Sequence, residues 1–176
     1  MSRACRLLAA ADLTADRLAH TLAVGDRMGE LARARGNSAE MVDLYAAAGA
    51  LHDIGYAYPD TGHHALDGAR FLHSCAMPDT LVNLVAHHST SVHEATERGL
   101  LDHLTRFPAP AAWPAAALWV ADFTTSPAGV RVTVTERVEE ISGRYAPDTH
   151  VVRALDAAKD DLIAAVMLVG RVGGHA

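Results

Sequence analysis

The chain is poor in lysine, poor in cysteine and free of long apolar runs. Only Lys159 among its 15 basic residues is a lysine. Beside so much alanine this reflects compositional bias and carries no function. The two cysteines, Cys5 and Cys75, exclude a disulfide framework. The formal charge is −6 and the arginines are dispersed, which excludes a nucleic-acid scanning surface, because that needs a basic stripe. A small phosphorylated partner stays compatible, since a bound metal supplies positive charge that a residue count omits. The apolar residues 7–11 are cut off by Asp12, too soon for a signal peptide. Residues 109–121 contain Pro110 and Pro114 and fall short of a membrane span. The expectation is a cytoplasmic protein with no membrane and no nucleic-acid partner. No Gly-rich phosphate loop and no Cys–His arrangement point to another hydrolytic mechanism.

What is present is helix-forming sequence. Half of the residues are hydrophobic, which excludes a disordered chain. A chain of 176 residues can bury roughly 70 % of its unfolded surface. There is no repeat and no linker, so one domain is expected over 1–176, with its core at about 14–169 and residues 170–176 as a frayed tail. Thr14 caps a helix reaching about Arg35, with Leu18, Leu22, Met28 and Leu31 at near-helical spacing. Gly36-Asn37 breaks it. Ser38 caps a second helix whose inner face carries Met41, Leu44, Ala48 and Leu51. Helices follow at about 64–75, 78–88, 93–98, 100–107, 113–124, 134–145 and 149–169. The connector 126–133 holds alternating Val130, Val132 and Val134, which permits a short strand.

His52-Asp53 closes the second helix in the stretch Ala-Leu-His-Asp-Ile-Gly-Tyr, and Gly55 follows as a helix stop. An imidazole and a carboxylate are poor core material: an unpartnered buried polar group costs about 2–7 kcal/mol, and a charge costs more. A metal ion accounts for both, and this donor set suits iron, manganese, zinc or cobalt rather than calcium. Adjacent helical residues point about 100° apart and cannot share one flat face. At a loosened helix end they can converge. A second adjacent pair, His87-His88, also ends an apolar run, and His20, His64 and Asp122 supply further donors. A lone histidine on an apolar face is more often a hydrogen-bonded core or surface residue than a ligand, and His63 competes with His64. It is the ordered set that carries the metal reading.

In order the series reads His, His-Asp, His, His-His, Asp. From about His20 to Tyr145 it resembles the HD superfamily of metal-dependent phosphohydrolases, in the two-metal version. Gly68, four residues after His64, fits the family spacing and favours His64 over His63. The resemblance implies an all-α fold, a compact single-domain helical bundle. It implies two divalent ions, iron first, with manganese, cobalt or zinc as alternatives. His20, His52, Asp53 and Asp122 would hold one; His64, His87, His88 and the bridging Asp53 would hold the other. Asp53, His64 and His87 would be the catalytic residues. The implied reaction is attack by a metal-bridging hydroxide on a phosphomonoester or nucleotide.

A second reading is a diiron oxygenase that activates O₂ to cleave a C–C or C–P bond. Such relatives generally lack the second adjacent histidine and carry a nearby lysine; here His88 fills that place and no lysine precedes Lys159. A third is a regulatory module that binds metal and turns over little. The Gly-Tyr-Pro segment of cyclic-dinucleotide members is missing. A phosphate needs cations, and Arg70, Arg131 and Arg137 are candidates by position. Tyr56 and Tyr58, just past the metal residues, either line a substrate pocket or pack in the core. Trp113 and Trp119 belong to the core. His73, His93, His103, His150 and His175 fit no motif and belong to the surface.

Overall fold

A computed structural model describes residues 3–170. In chain order they form α1 (Arg3–Ala10), α2 (Ala15–Ala34), α3 (Ala39–Leu51), a 3-10 turn (Ile54–Ala57), α4 (His64–Ser74), α5 (Asp79–Ala86), α6 (Ser91–Glu97), α7 (Leu101–Leu104), α8 (Ala112–Phe123), α9 (Val134–Arg144), α10 (His150–Ala157) and α11 (Lys159–Gly170). The fold is all-α, as expected. Among the described residues no helix is long and apolar enough to cross a membrane.

The helix starts follow from side-chain chemistry. Thr14 accepts a hydrogen bond from the Arg17 N–H at 3.3 Å, and Ser38 accepts one from Met41 at 3.3 Å. Each such cap is worth about 1 kcal/mol. Thr133 and Glu136 form a full capping box at the start of α9.

α2 and α3 pack most extensively, and two glycines let their backbones touch. A Cβ on Gly49 would stand 2.9 Å from the Gly25 Cα and 2.9 Å from the Val24 carbonyl oxygen. This contact brings His20, on α2, up to the end of α3. A second glycine seam seats the 3-10 turn on α4. A Cβ on Gly55 would lie 1.9 Å from the His64 carbonyl oxygen, and one on Gly68 would lie 3.1 Å from the Gly55 nitrogen. Gly55 therefore does more than stop a helix: it lets the turn after Asp53 lie directly against the helix that carries His64. Behind these seams the core is built from fully buried Val24, Met28, Leu51, Ile54, Leu66 and Leu118.

Four expectations are revised. The helix expected over 149–169 is two helices, hinged at Ala158, whose N–H bonds back to Ala154 and Asp156. No Gly or Pro marks the break. It arises because α10 packs on α6 while α11 packs on α8, and one straight helix could not reach both. The strand permitted at 130–134 is absent among the described residues; a single bridge joins Thr125 to Arg131. The reason is a tight turn at Gly129, with φ of 75°, that leaves no length for a ladder. Residues 3–10 form α1, which sends Leu8 into the core. Finally, Gly170 ends α11 rather than opening a tail, and residues 171–176, including His175, lie outside the described residues.

Candidate metal centre

Six of the seven expected ligands converge where α2, α3, α4, α5 and α8 meet. His20 comes from α2, His52 and Asp53 from the end of α3, His64 from the start of α4, His88 from just past α5, and Asp122 from the last turn of α8. His20, His52, Asp53, His88 and Asp122 are buried. The Oδ1 of Asp53 lies 3.6 Å from His52 Nε2, 3.5 Å from His64 Nε2 and 3.6 Å from His88 Nε2. The Oδ1 of Asp122 lies 3.1 Å from His20 Nε2 and 3.9 Å from His52 Nε2.

The backbone fixes the tautomer of three of these histidines. His52 Nδ1 bonds to the Gly49 carbonyl at 2.7 Å, His88 Nδ1 to the Val85 carbonyl at 2.6 Å, and His20 Nδ1 to the Ser126 carbonyl at 3.2 Å. A carbonyl only accepts, so each Nδ1 carries a hydrogen and each neutral ring turns an Nε2 lone pair inward. The inward face is then a collection of acceptors. His52 Nε2 is buried with no hydrogen-bond partner at all. His64 Nε2 and His88 Nε2 face each other at 3.2 Å. Lone pairs and carboxylates that converge on one spot repel unless a cation lies among them. Ligands held ~2.1 Å from an ion stand roughly 3.0–3.4 Å apart, close to the spacings seen here. Two groups, His20–His52–Asp122 and His52–Asp53–His88, each bring three donors within reach of one ion. The donor set fits a divalent metal.

Electrostatics favour the neutral ring at His52 and His64 and the protonated one at His20 and His88. Burial pushes His52 down to about 4, with Asp53 and Asp122 opposing it, and burial likewise pushes His64 down to about 4. Both are therefore neutral ligands at ordinary pH. Burial also opposes charge on His20 and His88, but their carboxylate partners outweigh it and raise both. Burial would lift the Asp53 and Asp122 carboxyls; the surrounding imidazoles, with Arg17 at Asp53, hold both below the usual range instead.

His87 is the exception. Its Nε2 bonds to the Phe107 carbonyl at 2.7 Å, and its own carbonyl accepts from Trp119 Nε1 at 3.2 Å. It points to the far side of α5, away from the cluster, so neither its ligand role nor its catalytic role is supported. The physical reason is the 100° divergence of neighbours at a helix end. His63 is committed as well: Nδ1 accepts from the Leu66 N–H at 3.1 Å and Nε2 bonds to the Ser91 carbonyl at 2.9 Å. That leaves His64 as the inward-facing member of its pair.

A family model described as HD domain matches residues 17–122. The chain belongs to the HD-domain family. The match covers more than half of the chain and closes on Asp122, so α9, α10 and α11 of this HD domain lie beyond it. No curated protein and no solved structure matches the chain. The HD domain is of the metal-dependent hydrolase type, and its His/Asp groups are arranged to hold metal.

The cleft over the centre sorts the remaining candidates of this HD domain. Arg137 and Tyr56 line it, together with Arg17, Asp53, His64 and Asp122. Tyr56 stacks on the His64 ring at 4.5 Å. Tyr58 stacks on Phe71 at 3.7 Å and belongs to the packing. Arg70 does not reach the cleft; it pairs with Asp60 at 2.5 Å and lines a separate hollow near His103. Arg131 pairs with Glu30 and is exposed. Trp113 is core, and Trp119 is half-buried. His93 pairs with Asp161 and His150 faces Glu94.

Sequence reasoning missed Arg17, Arg144 and Glu94, which also line the cleft. Arg17 bonds to Asp53 Oδ2 at 2.5 Å and lies 3.8 Å over the Tyr56 ring. Its spacing of one turn before His20 could have revealed it, as could that of Arg144, two turns after Arg137 on α9. No local pattern marks Glu94. The loop before His64 is pinned separately. Asp67 accepts from the Asp60, Thr61 and Gly62 N–H groups at 3.0, 2.9 and 3.0 Å, and from the Thr61 hydroxyl at 2.7 Å. Arg98, paired with buried Glu94, donates to the carbonyls of Gly62 and Thr61.

Proposed function

We propose that this HD domain hydrolyses a small phosphorylated molecule, a phosphomonoester or nucleotide. The observation that carries the reading is the arginine-lined cleft: Arg17, Arg137 and Arg144 surround the opening at which Asp53, His64 and Asp122 are reached. Guanidinium groups match phosphate oxygens in geometry and charge. His20, His52 and Asp122 would hold one divalent ion and His64 and His88 a second, with Asp53 shared between them. Iron is the first candidate, with manganese, cobalt or zinc behind it. When bound, such metals supply an activated water at neutral pH and neutralise charge on the phosphate.

The chain's own residues supply the rest. Arg17 holds Asp53 Oδ2 and so directs Oδ1 toward the three imidazoles. Its stacking on Tyr56 fixes the guanidinium at the cleft wall, where it can take a phosphoryl oxygen. His64, kept neutral and braced by Tyr56, keeps its lone pair available. Phe123, Ile141 and Leu155 line the same cleft and offer an apolar wall to the organic part of the substrate.

One observation favours the oxygenase alternative. With His87 turned away, the pair after α5 delivers a single histidine, as the resemblance implies for oxygen-activating relatives. The deciding experiment offers phosphoesters to the metal-loaded protein in ¹⁸O-water, with and without O₂. Hydrolysis releases phosphate that carries solvent ¹⁸O regardless of O₂. A strict O₂ requirement, with gas-derived oxygen in the product, would place the chain on the oxygenase branch.

A further inference from the structure

Three guanidiniums line the cleft: Arg17 is held by Asp53, while Arg137 and Arg144 share one carboxylate, Glu140. Arg137 lies on α9 and is buried, 7 % exposed. Its Nη1 pairs with Glu140, yet its Nε is buried with no hydrogen-bond partner. Leaving a donor of a buried guanidinium unmade is expensive, so such a group is expected to find an acceptor that the folded chain itself lacks. Glu140 cannot be that acceptor twice over. It is shared with Arg144, whose Nε donates to it at 3.1 Å and whose Nη2 also pairs with it.

The same three arginines form the wall between two neighbouring cavities. One opens on Asp53, His64 and Asp122. The other, of about 410 Å³, is lined by Asp16, Arg17, Arg137, Glu140 and Arg144, among others. That volume lies within the ~300–1,000 Å³ range of ligand pockets. Among the described residues its wall carries two carboxylates, Asp16 and Glu140, against three guanidiniums. Asp53, which holds Arg17, belongs to the metal centre. With Arg17 held by Asp53, the wall is balanced in charge, but Arg137 and Arg144 share the single carboxylate Glu140 and keep more N–H donors than it can accept, which suits an added anion.

We propose that Arg137 and Arg144 form a subsite for a second phosphoryl group, so that the substrate carries two: a diphosphate or a bisphosphate, with one group at the His–Asp centre and the other on α9. The proposal rests on the phosphohydrolase reading for which group is cleaved, but the anion subsite can be measured without turnover.

The test is titration calorimetry of the protein as purified, with its own metal and no free metal in solution, against inorganic phosphate and inorganic pyrophosphate. Alongside it, kcat/KM is measured for AMP and ADP. Pyrophosphate is expected to bind at least about tenfold tighter than phosphate, the ratio that one charge-assisted contact supplies. Arg144→Gln and Arg137→Gln should each abolish most of that ratio, with the loss for ADP falling on KM rather than kcat. Arg144 is the more exposed of the two, so its variant decides the matter if Arg137→Gln does not fold. Equal affinity for the two anions, two phosphate ions bound with no preference for pyrophosphate, or a preference that survives the substitutions and so belongs to the metal alone would each overturn the subsite. Arginine-dependent pyrophosphate binding without release of phosphate from any nucleotide would keep the subsite and remove the hydrolase reading. Equal kcat/KM for AMP and ADP would do the reverse.

Discussion

At the end of α3, His52 turns its Nδ1 back to the carbonyl three residues earlier at 2.7 Å; at the end of α5, His88 does the same at 2.6 Å. The two imidazoles are structural counterparts, each fixed by its own helix terminus and each presenting Nε2 to Asp53 at 3.6 Å. The residues beside them are not counterparts. His52 is followed by Asp53, which leaves the helix, enters the 3-10 turn and joins the cluster. His88 is preceded by His87, which is still at the helix end and faces the Phe107 carbonyl, and is followed by Ser89, whose φ of 52° reverses the chain. In both pairs the second member lies past the helix end, so the difference is which member faces inward: at α3 it is the first, His52, and Asp53 joins it. Where the inward histidine comes second, the first is left behind on the far side.

Substitutions within the pairs at the two helix ends should differ in effect. The largest effect is expected from Asp53→Ala, which removes the carboxylate common to both halves of the centre and strips Arg17 of its partner. Metal affinity should fall by at least about 100-fold, beyond the 10–100-fold typical of losing a mere supporting contact, and activity should vanish. Metal content by elemental analysis after dialysis checks it, and near-normal loading would refute the shared role.

Next in size are His52→Ala and His88→Ala, whose similar geometry predicts similar losses, each smaller than that of Asp53→Ala but above the roughly 10–100-fold of a lost supporting contact. Zinc or manganese titration of the two variants reads the symmetry directly. A large gap between them would show that the two helix ends are not equivalent.

Asp67→Asn tests the frame around His64 rather than the ligands. Its carboxylate accepts four hydrogen bonds from loop 60–62, and the substitution turns acceptors into a donor that faces N–H groups. Unfolding free energy should drop by about 1–3 kcal/mol. Burial would raise this carboxyl, but the N–H groups of Asp60, Thr61 and Gly62 and the Thr61 hydroxyl hold it below its ordinary value. A depressed folded pKa contributes stability above the unfolded pKa of ~3.9 that is lost as pH falls through the folded value. The gap between wild type and variant should thus be full at neutral pH and shrink below about pH 4. Thermal unfolding across pH measures it, and a gap that grows on acidification would contradict the assignment.

The smallest effect is expected from His87→Ala. It removes one hydrogen bond to a carbonyl, worth about 1 kcal/mol of stability, and leaves metal binding unchanged. Metal loss comparable to that of His88→Ala would restore His87 to the centre.

Much of this was legible in the chain. Helix starts at Thr14 and Ser38 follow from a hydroxyl that meets orphan N–H groups, a local event within four residues. The ordered His, His-Asp, His, His and Asp residues announce a metal centre because buried imidazoles and carboxylates need a cation wherever the fold takes them. Distance in space was not legible. Whether His63 or His64 faces inward depends on the Ser91 carbonyl, and whether His87 or His88 does depends on Phe107, both far along the chain. Arg17 and Arg144 gained their place only when α2 and α9 came to line one cleft, and the hinge at Ala158 exists because α10 and α11 found different neighbours. Caps, periodicity and donor chemistry are short-range and are written residue by residue. Which side of a helix end meets the cluster, and which cations share its cleft, is set by packing between residues far apart in the chain.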